Sequence, residues 1–177
     1  RQYEAGLNGM LFINSTIHEF DLARWLMGDE VDEVHSYATV RGRPEVARFG
    51  DIVAGVVNLR FQQGAIGNVE SYVQSEYGYD IRTEIVGTEG TLMIGYLRET
   101  AETILTSRGG RHDIVGHYLD RFAGAYVDEV RDFARTVLAG RAPRISGEDG
   151  WRALAIAESA LQSYQLARPV AVRQGLK

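Results

Sequence analysis

Residues Asp51 to Ser75 read DIVAGVVNLRF-QQG-AIGNVESYVQS, and the parsing of this stretch decides the fold. Two runs rich in β-branched residues, Asp51 to Phe61 and Ala65 to Ser75, are separated only by Gln62-Gln63-Gly64. That loop is short and carries a glycine able to take positive φ, as hairpin turns require. Two strands joined this closely pair antiparallel, because a parallel pair needs a crossover of a dozen residues or more.

Working outward, Val31 to Arg41 (VDEVHSYATVR) has strand composition and leads into a loop through Gly42, Pro44 and Gly50. Downstream, Asp80 to Val86 and Thr91 to Tyr96 flank Gly87-Thr88-Glu89-Gly90, a second hairpin signal. Thr100 to Ser107 is a candidate further strand, and Gly109-Gly110 marks a break. The period then changes. Apolar residues at Phe122, Ala125, Tyr126, Val130, Phe133 and Val137 predict a surface helix from about Tyr118 to Leu138, closed by Gly140. A second helix is predicted from about Gly147 to Ala167, with Ser146 as N-cap and Glu148 and Asp149 in the favourable first turn. Pro169 to Val172 can return as a short strand. Strands first and helices later predict an α+β open-faced sandwich, one large mainly antiparallel β-sheet with helices on one face. Ile52, Val53, Val56 and Val57 are apolar at both parities, so neither sheet face looks ready for water. The face without helices is therefore expected to pack on a second copy, as a homodimer or tetramer.

With 177 residues, 45% apolar and 24% charged, the chain suits one soluble globular domain, residues 1–177. A net charge of -5 with no basic cluster argues against nucleic acid as a partner. No apolar run reaches membrane-spanning length, and RQYEAGLNGM lacks a signal-peptide layout. The absence of cysteine rules out thiolate metal sites and agrees with a cytoplasmic location. The basic residues are arginines except Lys177 at the very end, so no mechanism needing an ordered lysine fits inside this chain. His35, His112 and His117 have no zinc spacing, and no metal site is expected.

The chemistry concentrates in Asn14-Ser15-Thr16-Ile17-His18-Glu19-Phe20-Asp21-Leu22-Ala23-Arg24-Trp25-Leu26. The pattern predicts an amphipathic helix opening on a capping box, Thr16 with Glu19, and stopping at Gly28. His18, Asp21 and Trp25 then share one face while Ile17, Ala23 and Leu26 pack beneath. The positive first turn of such a helix keeps a histidine neutral, so that it can accept a proton. A hydrogen-bonded structural histidine is the alternative. The cluster Glu76-Tyr77-Gly78-Tyr79-Asp80 is compatible with a turn or bulge and with a site at a cleft. Asp120, Arg121 and Glu129 are most simply a solvated helix face. Gly87 to Gly90 precedes a strand and is not a phosphate loop.

Three stretches in order carry a resemblance. Asn14-x-x-x-His18-x-x-Asp21 followed by Trp25-Leu26 is similar to the histidine motif of the C-terminal domain of the Gfo/Idh/MocA oxidoreductases. Tyr77-Gly78-Tyr79-Asp80 followed by Arg82, Glu84, Val86 and Gly87 resembles a stretch of that family's inositol 2-dehydrogenases. Asp149-Gly150-Trp151-Arg152-Ala153-Leu154 resembles the family's Asp-Gly-x-x-Ala-Leu helix start. The similarity runs from near Gly9 to Arg168-Pro169-Val170. It implies a fold like the C-terminal domains of dihydrodipicolinate reductase and glyceraldehyde-3-phosphate dehydrogenase. In full-length members an N-terminal Rossmann domain binds NAD or NADP and supplies the lysine of a Glu-Lys-Pro motif. This chain has neither a Gly-x-Gly-x-x-Gly fingerprint nor Glu-Lys-Pro, so no cofactor is expected to be held by it alone.

The resemblance implies the substrate-binding and oligomerisation domain of an NAD(P)-dependent polyol or sugar dehydrogenase that oxidises a ring hydroxyl to a ketone. His18 would be the base, with Asn14, Asp21 and Tyr79 holding the polyol and the missing Rossmann domain as partner. Asn14 stands where the family most often has aspartate, and lacks the charge that would favour protonated His18. The alternative expectation is a stand-alone, non-catalytic domain that dimerises or binds a sugar.

Overall fold

The computed structural model describes residues 11–73, 75–95 and 102–175. Elements in chain order are α1 (Ile17–Met27), β1 (Val31–Thr39), β2 (Ala54–Phe61), β3 (Ile66–Tyr72), β4 (Thr83–Val86), β5 (Thr91–Ile94), β6 (Thr103–Thr106), β7 (Gly109–His112), α2 (Tyr118–Leu138), α3 (Gly147–Leu166) and β8 (Val170–Ala171). Gln74 within one expected strand, and the expected strand ends at Tyr96 and Thr100, lie outside the described residues. Backbone packing divides the chain into two compact units. One combines the residues through Val73 with those from Arg144 onward, and the other runs from Ser75 to Pro143.

The first unit is built on a four-stranded antiparallel sheet in the order β3-β2-β1-β8. The hairpin across Gln62-Gln63-Gly64 pairs Asn58 with Asn68 and Leu59 with Gly67, as the loop length dictates. Cross-strand partners share a face, so Val34, Leu59 and Gly67 line up on one side, as do Ser36, Val57 and Val69. α1 and α3 pack in this unit, and the core joins Phe12, Phe20, Val34, Val57, Leu59 and Ile156. Small residues let α3 come close: Ala157, Ala160 and Ser163 are fully buried. The buried polar groups along this contact are satisfied. The Ser36 hydroxyl donates to the Ala160 carbonyl, and the Ser163 hydroxyl accepts the Ser36 N–H at 3.1 Å and donates to the Arg168 carbonyl at 2.7 Å.

The opposite sheet face is mixed rather than apolar. It presents Val56, Asn58 and Arg60 of β2, Asn68 and Glu70 of β3, and a tilted His35–Tyr37 ring pair on β1 with centroids 4.9 Å apart. The impression of two apolar faces arose because Ile52 and Val53 precede the strand and are buried there, not in it.

Ahead of α1 lies a π-helical turn, Leu11–Ser15, although the helix was expected to open at Thr16. Its wide backbone carries Phe12 onto β2. A Cβ on Gly55 would sit 2.5 Å from the Phe12 ring, so only glycine lets this fully buried aromatic reach the strand. The loop from Gly42 to Gly50 contains a 3₁₀ turn, Pro44–Phe49, started by a proline whose fixed φ suits a first turn.

In the second unit β4 pairs with β5 and β6 with β7. Gly109-Gly110 is therefore not a break but the start of β7, reached through a Ser107-Arg108 turn in which Arg108 N–H donates to Thr106 Oγ1 at 3.2 Å. α2 has the predicted bounds, and its stripe Tyr126, Val130, Phe133 and Val137 is exposed. Among the described residues no helix is long and apolar enough to cross a membrane.

Gly55→Ala is expected to destabilise the protein by about 1–3 kcal/mol through overpacking against Phe12. Urea midpoints at unchanged m-value measure it; a variant as stable as the parent would refute the close approach.

Candidate functional site

Thr16 has helical backbone angles, φ -67 and ψ -16, and makes no side-chain cap. A capping residue needs extended angles and free N–H groups ahead of it. Here the π turn already occupies that place. Thr16 N–H donates to the Leu11 carbonyl at 2.8 Å, and its hydroxyl lies 3.0 Å from the same carbonyl and 2.9 Å from Ser71 Oγ on β3. The expected capping box is therefore absent, and the chain is already helical from Leu11, so its positive end lies ahead of His18. The first-turn dipole argument does not apply to His18.

The buried stripe of α1 is Thr16, Phe20 and Arg24, spaced by four, while Ile17, Ala23 and Leu26 are only half-buried. Phe20, completely buried, is the anchor the expected packing face omitted. The opposite side carries Asn14, His18 and Trp25, all exposed, with Asp21 half-buried between them. The sharing of one face by His18, Asp21 and Trp25 follows from their spacing. The His18 imidazole makes no hydrogen bond among the described residues, which sets it apart from a structural histidine. Burial pushes the neighbouring Glu19 carboxyl above the usual range, against its own backbone N–H and the His18 charge.

Behind this face lies a charge network that sequence spacing did not reveal. Arg24, only 8% exposed, grips Glu30 with two nitrogens at 2.7 and 2.8 Å and Asp21 Oδ1 with a third at 3.0 Å. Glu30 in turn accepts Arg152 of α3 at 2.8 Å, and Arg152 reaches Glu148 at 2.9 Å. Asp149 closes a capping box with Ser146 at 2.8 Å and lies 3.9 Å from Arg24. The Asp149-Gly150-Trp151-Arg152 stretch thus does two jobs, starting α3 and bracing α1. The Arg24 hydrogen bonds, then the charges of Arg24 and Arg152, hold the Glu30 carboxyl below the usual range. Hydrogen bonds from Ser146 do the same for Asp149. The only sign available beforehand was an arginine at a core-facing helical position.

Tyr79 belongs to the second unit. Its N–H donates to the Val115 carbonyl at 2.9 Å, and its ring meets Phe122 edge-on and Tyr118 tilted, each at 6.2 Å. Gly78 has φ +140, and a Cβ there would lie 2.3 Å from Ile114 Cγ2. The turn reading of Tyr77-Gly78-Tyr79 is thus correct, and it also fixes Tyr79 against α2. Tyr77 donates its hydroxyl proton to Asp80, which pairs with Arg82 at 3.0 Å. Asp120 and Glu129 are exposed, but Arg121 is half-buried over the Phe122 ring at 5.0 Å, not part of a solvated face. His117 caps α2 by accepting Leu119 N–H at 3.3 Å. No group of three His, Cys, Asp or Glu among the described residues could hold a metal ion.

Residues 2–172 match the family described as the Gfo/Idh/MocA oxidoreductase family, C-terminal alpha/beta domain. The chain is 35% identical over 169 residues to myo-inositol 2-dehydrogenase of Thermotoga maritima, covering 95% of this chain and 51% of that protein. It is 36% identical over 163 residues to scyllo-inositol 2-dehydrogenase (NAD(+)) of Bacillus subtilis, covering 92% and 48%. A crystal structure of a probable dehydrogenase from Thermotoga maritima superposes with a TM-score of 0.89 at 35% identity, over 94% of this chain and 50% of that one. The chain spans about half the length of the curated relatives it matches.

The folded state binds the Glu30 proton more weakly than the unfolded chain does, so this group's stabilisation is complete above its ordinary value of 4.5 and is lost as pH falls past it. Glu19 acts in the opposite sense, favouring the folded state on acidification. Urea unfolding at pH 7, 5 and 4 should show a smaller acid loss in Glu30→Gln than in the parent; parallel slopes would contradict the network.

Proposed function

Because the chain belongs to the Gfo/Idh/MocA oxidoreductase family, as its C-terminal alpha/beta domain, we propose that it is the substrate-binding and oligomerisation half of an inositol 2-dehydrogenase-like enzyme. The observation that carries this reading is the exposed face of α1 and the turn before it, where His18 makes no hydrogen bond among the described residues and lies beside Asn14 and a braced Asp21. In the whole protein His18 takes the proton of a ring hydroxyl as general base, and Asn14 and Asp21 hold hydroxyls of a polyol or sugar; the resemblance of Tyr77-Gly78-Tyr79-Asp80 adds Tyr79 as a further substrate ligand. A histidine suits this because its ordinary pKa lies near physiological pH.

We do not propose a dinucleotide site on this chain alone. The sheet of the first unit is antiparallel and offers no strand-to-helix glycine turn against which a pyrophosphate could lie. NAD or NADP, held by an N-terminal Rossmann domain in the whole protein, would supply the hydride acceptor. Names of relatives favour NAD. The mixed outer sheet face, with Tyr37, Val56, Ile66 and Tyr72 exposed among polar residues, has the composition of a contact between copies, as a dimer or tetramer. We place the enzyme in the cytoplasm, in keeping with a chain free of cysteine.

Asn14 supports a second reading, a domain that binds the sugar without turning it over, since an amide cannot favour the histidinium electrostatically. The two readings separate on the full-length protein supplied with NAD and myo-inositol. His18→Ala should lower kcat by about 10²–10⁴-fold, and Asn14→Asp should raise kcat at neutral pH. Near-normal turnover in His18→Ala would exclude His18 as the base, and a parent protein that binds inositol without reducing NAD would establish the second reading.

A further inference from the structure

Asp21 is the one proposed substrate ligand on α1 whose side chain is tied to the interior. Its Oδ1 accepts Arg24 Nη1 at 3.0 Å, and its side chain is 43% exposed, so Oδ2 is left for solvent or a ligand. Arg24 itself cannot move freely. It is 8% exposed, and its other two nitrogens are committed to both oxygens of Glu30. A guanidinium is a planar fork with fixed donor directions, so fixing two of them against Glu30 fixes the third, and with it the Asp21 carboxylate. Glu30 is in turn held at 2.8 Å by Arg152, in the second turn of α3.

The geometry points to Arg24 as a positioning residue for substrate recognition: through a bidentate hold on Glu30, braced by Arg152, it aims Asp21 at the polyol without touching it. This rests on the function proposed above. A carboxylate whose orientation is set in advance accepts a ligand hydroxyl more tightly, because a freely rotating one loses side-chain entropy on binding. The effect falls on ground-state binding, since Asp21 is not placed on the reacting hydrogen; KM should change more than kcat. Lysine at position 24 keeps the charge but offers a point rather than a fork, so it can neutralise Glu30 and still leave Asp21 unaimed.

The test uses the full-length protein with NAD and myo-inositol, comparing Arg24→Lys, Asp21→Asn and the double variant. Thermal unfolding followed by circular dichroism serves as the check on folding. Arg24→Lys is expected to raise KM for inositol about 10-fold, with kcat within about 3-fold. The KM for NAD should not change. The double variant should be no worse than Asp21→Asn alone, because both remove the same interaction. An unchanged KM in Arg24→Lys, or effects that multiply in the double variant, would overturn the positioning role. If Arg24→Lys does not fold, Glu30→Gln takes its place: a 3-fold or larger rise in the inositol KM supports the proposal, and no rise overturns it. Failure of the functional reading looks different. There Asp21→Asn leaves KM unchanged and His18→Ala retains turnover, and the positioning role falls with it.

Discussion

A buried guanidinium must be paired where it lies, and Arg24 is the constraint on which the first unit turns. Three carboxylates surround it: Asp21 from its own helix, Glu30 from the turn before β1, and Asp149 from the first turn of α3. None of the four side chains could be placed independently of the others. The carboxylate partners of Arg24 keep 28–43% of their side-chain surface exposed, so solvent screens each pair, and the network fixes geometry even where its net contribution to stability is small. The pairing ties the helix that presents His18 to the helix that covers the sheet. The hydrophobic contacts of Phe12, Phe20 and Ile156 supply the cohesion, and the charge network sets the relative placement of α1 and α3.

The strands other than β7, the hairpin at Gln62-Gln63-Gly64 and both long helices were legible because each rests on a local rule: period, loop length or a cap; β7 was hidden because its opening glycine pair has the signature of a break. Ser146 with Asp149 forms the cap that its sequence signature promised. Thr16 with Glu19 has a similar signature and does not, because what precedes Thr16 is already helical. That information is non-local. A π turn has no sequence code of its own, and Leu11–Ser15 forms where Phe12 meets a strand glycine distant in the chain.

The site was legible in the same uneven way. The shared outward face of His18, Asp21 and Trp25 follows from helical spacing alone. The half of the arrangement that holds Asp21 does not, because Arg24, Glu30 and Arg152 meet only after α1, β1 and α3 are packed. Arg152 falls within a stretch that family resemblance singles out, yet nothing in that stretch says its guanidinium is addressed to an acid more than a hundred positions earlier. Gly78 behaves likewise: a glycine between tyrosines signals a turn, and only the neighbouring Ile114 shows why no other residue serves.

The first unit is discontinuous along the chain, and this bears on how the protein is made. Ser36 is hydrogen-bonded to residues of α3 separated from it by 124 and 127 positions. Ribosomes deliver roughly 5–20 residues each second, so β1, β2 and β3 emerge several seconds before α3, the helix that packs on β1. During that interval the part of the nascent sheet around β1 lacks its covering helix, while the hairpins of the second unit, whose partners are close in sequence, can already close. The interval is a window for chaperone capture or for mispairing between neighbouring nascent chains. Its length is set by the segment from Ser75 to Pro143, so lengthening the loops within that segment would burden synthesis before it altered the finished fold.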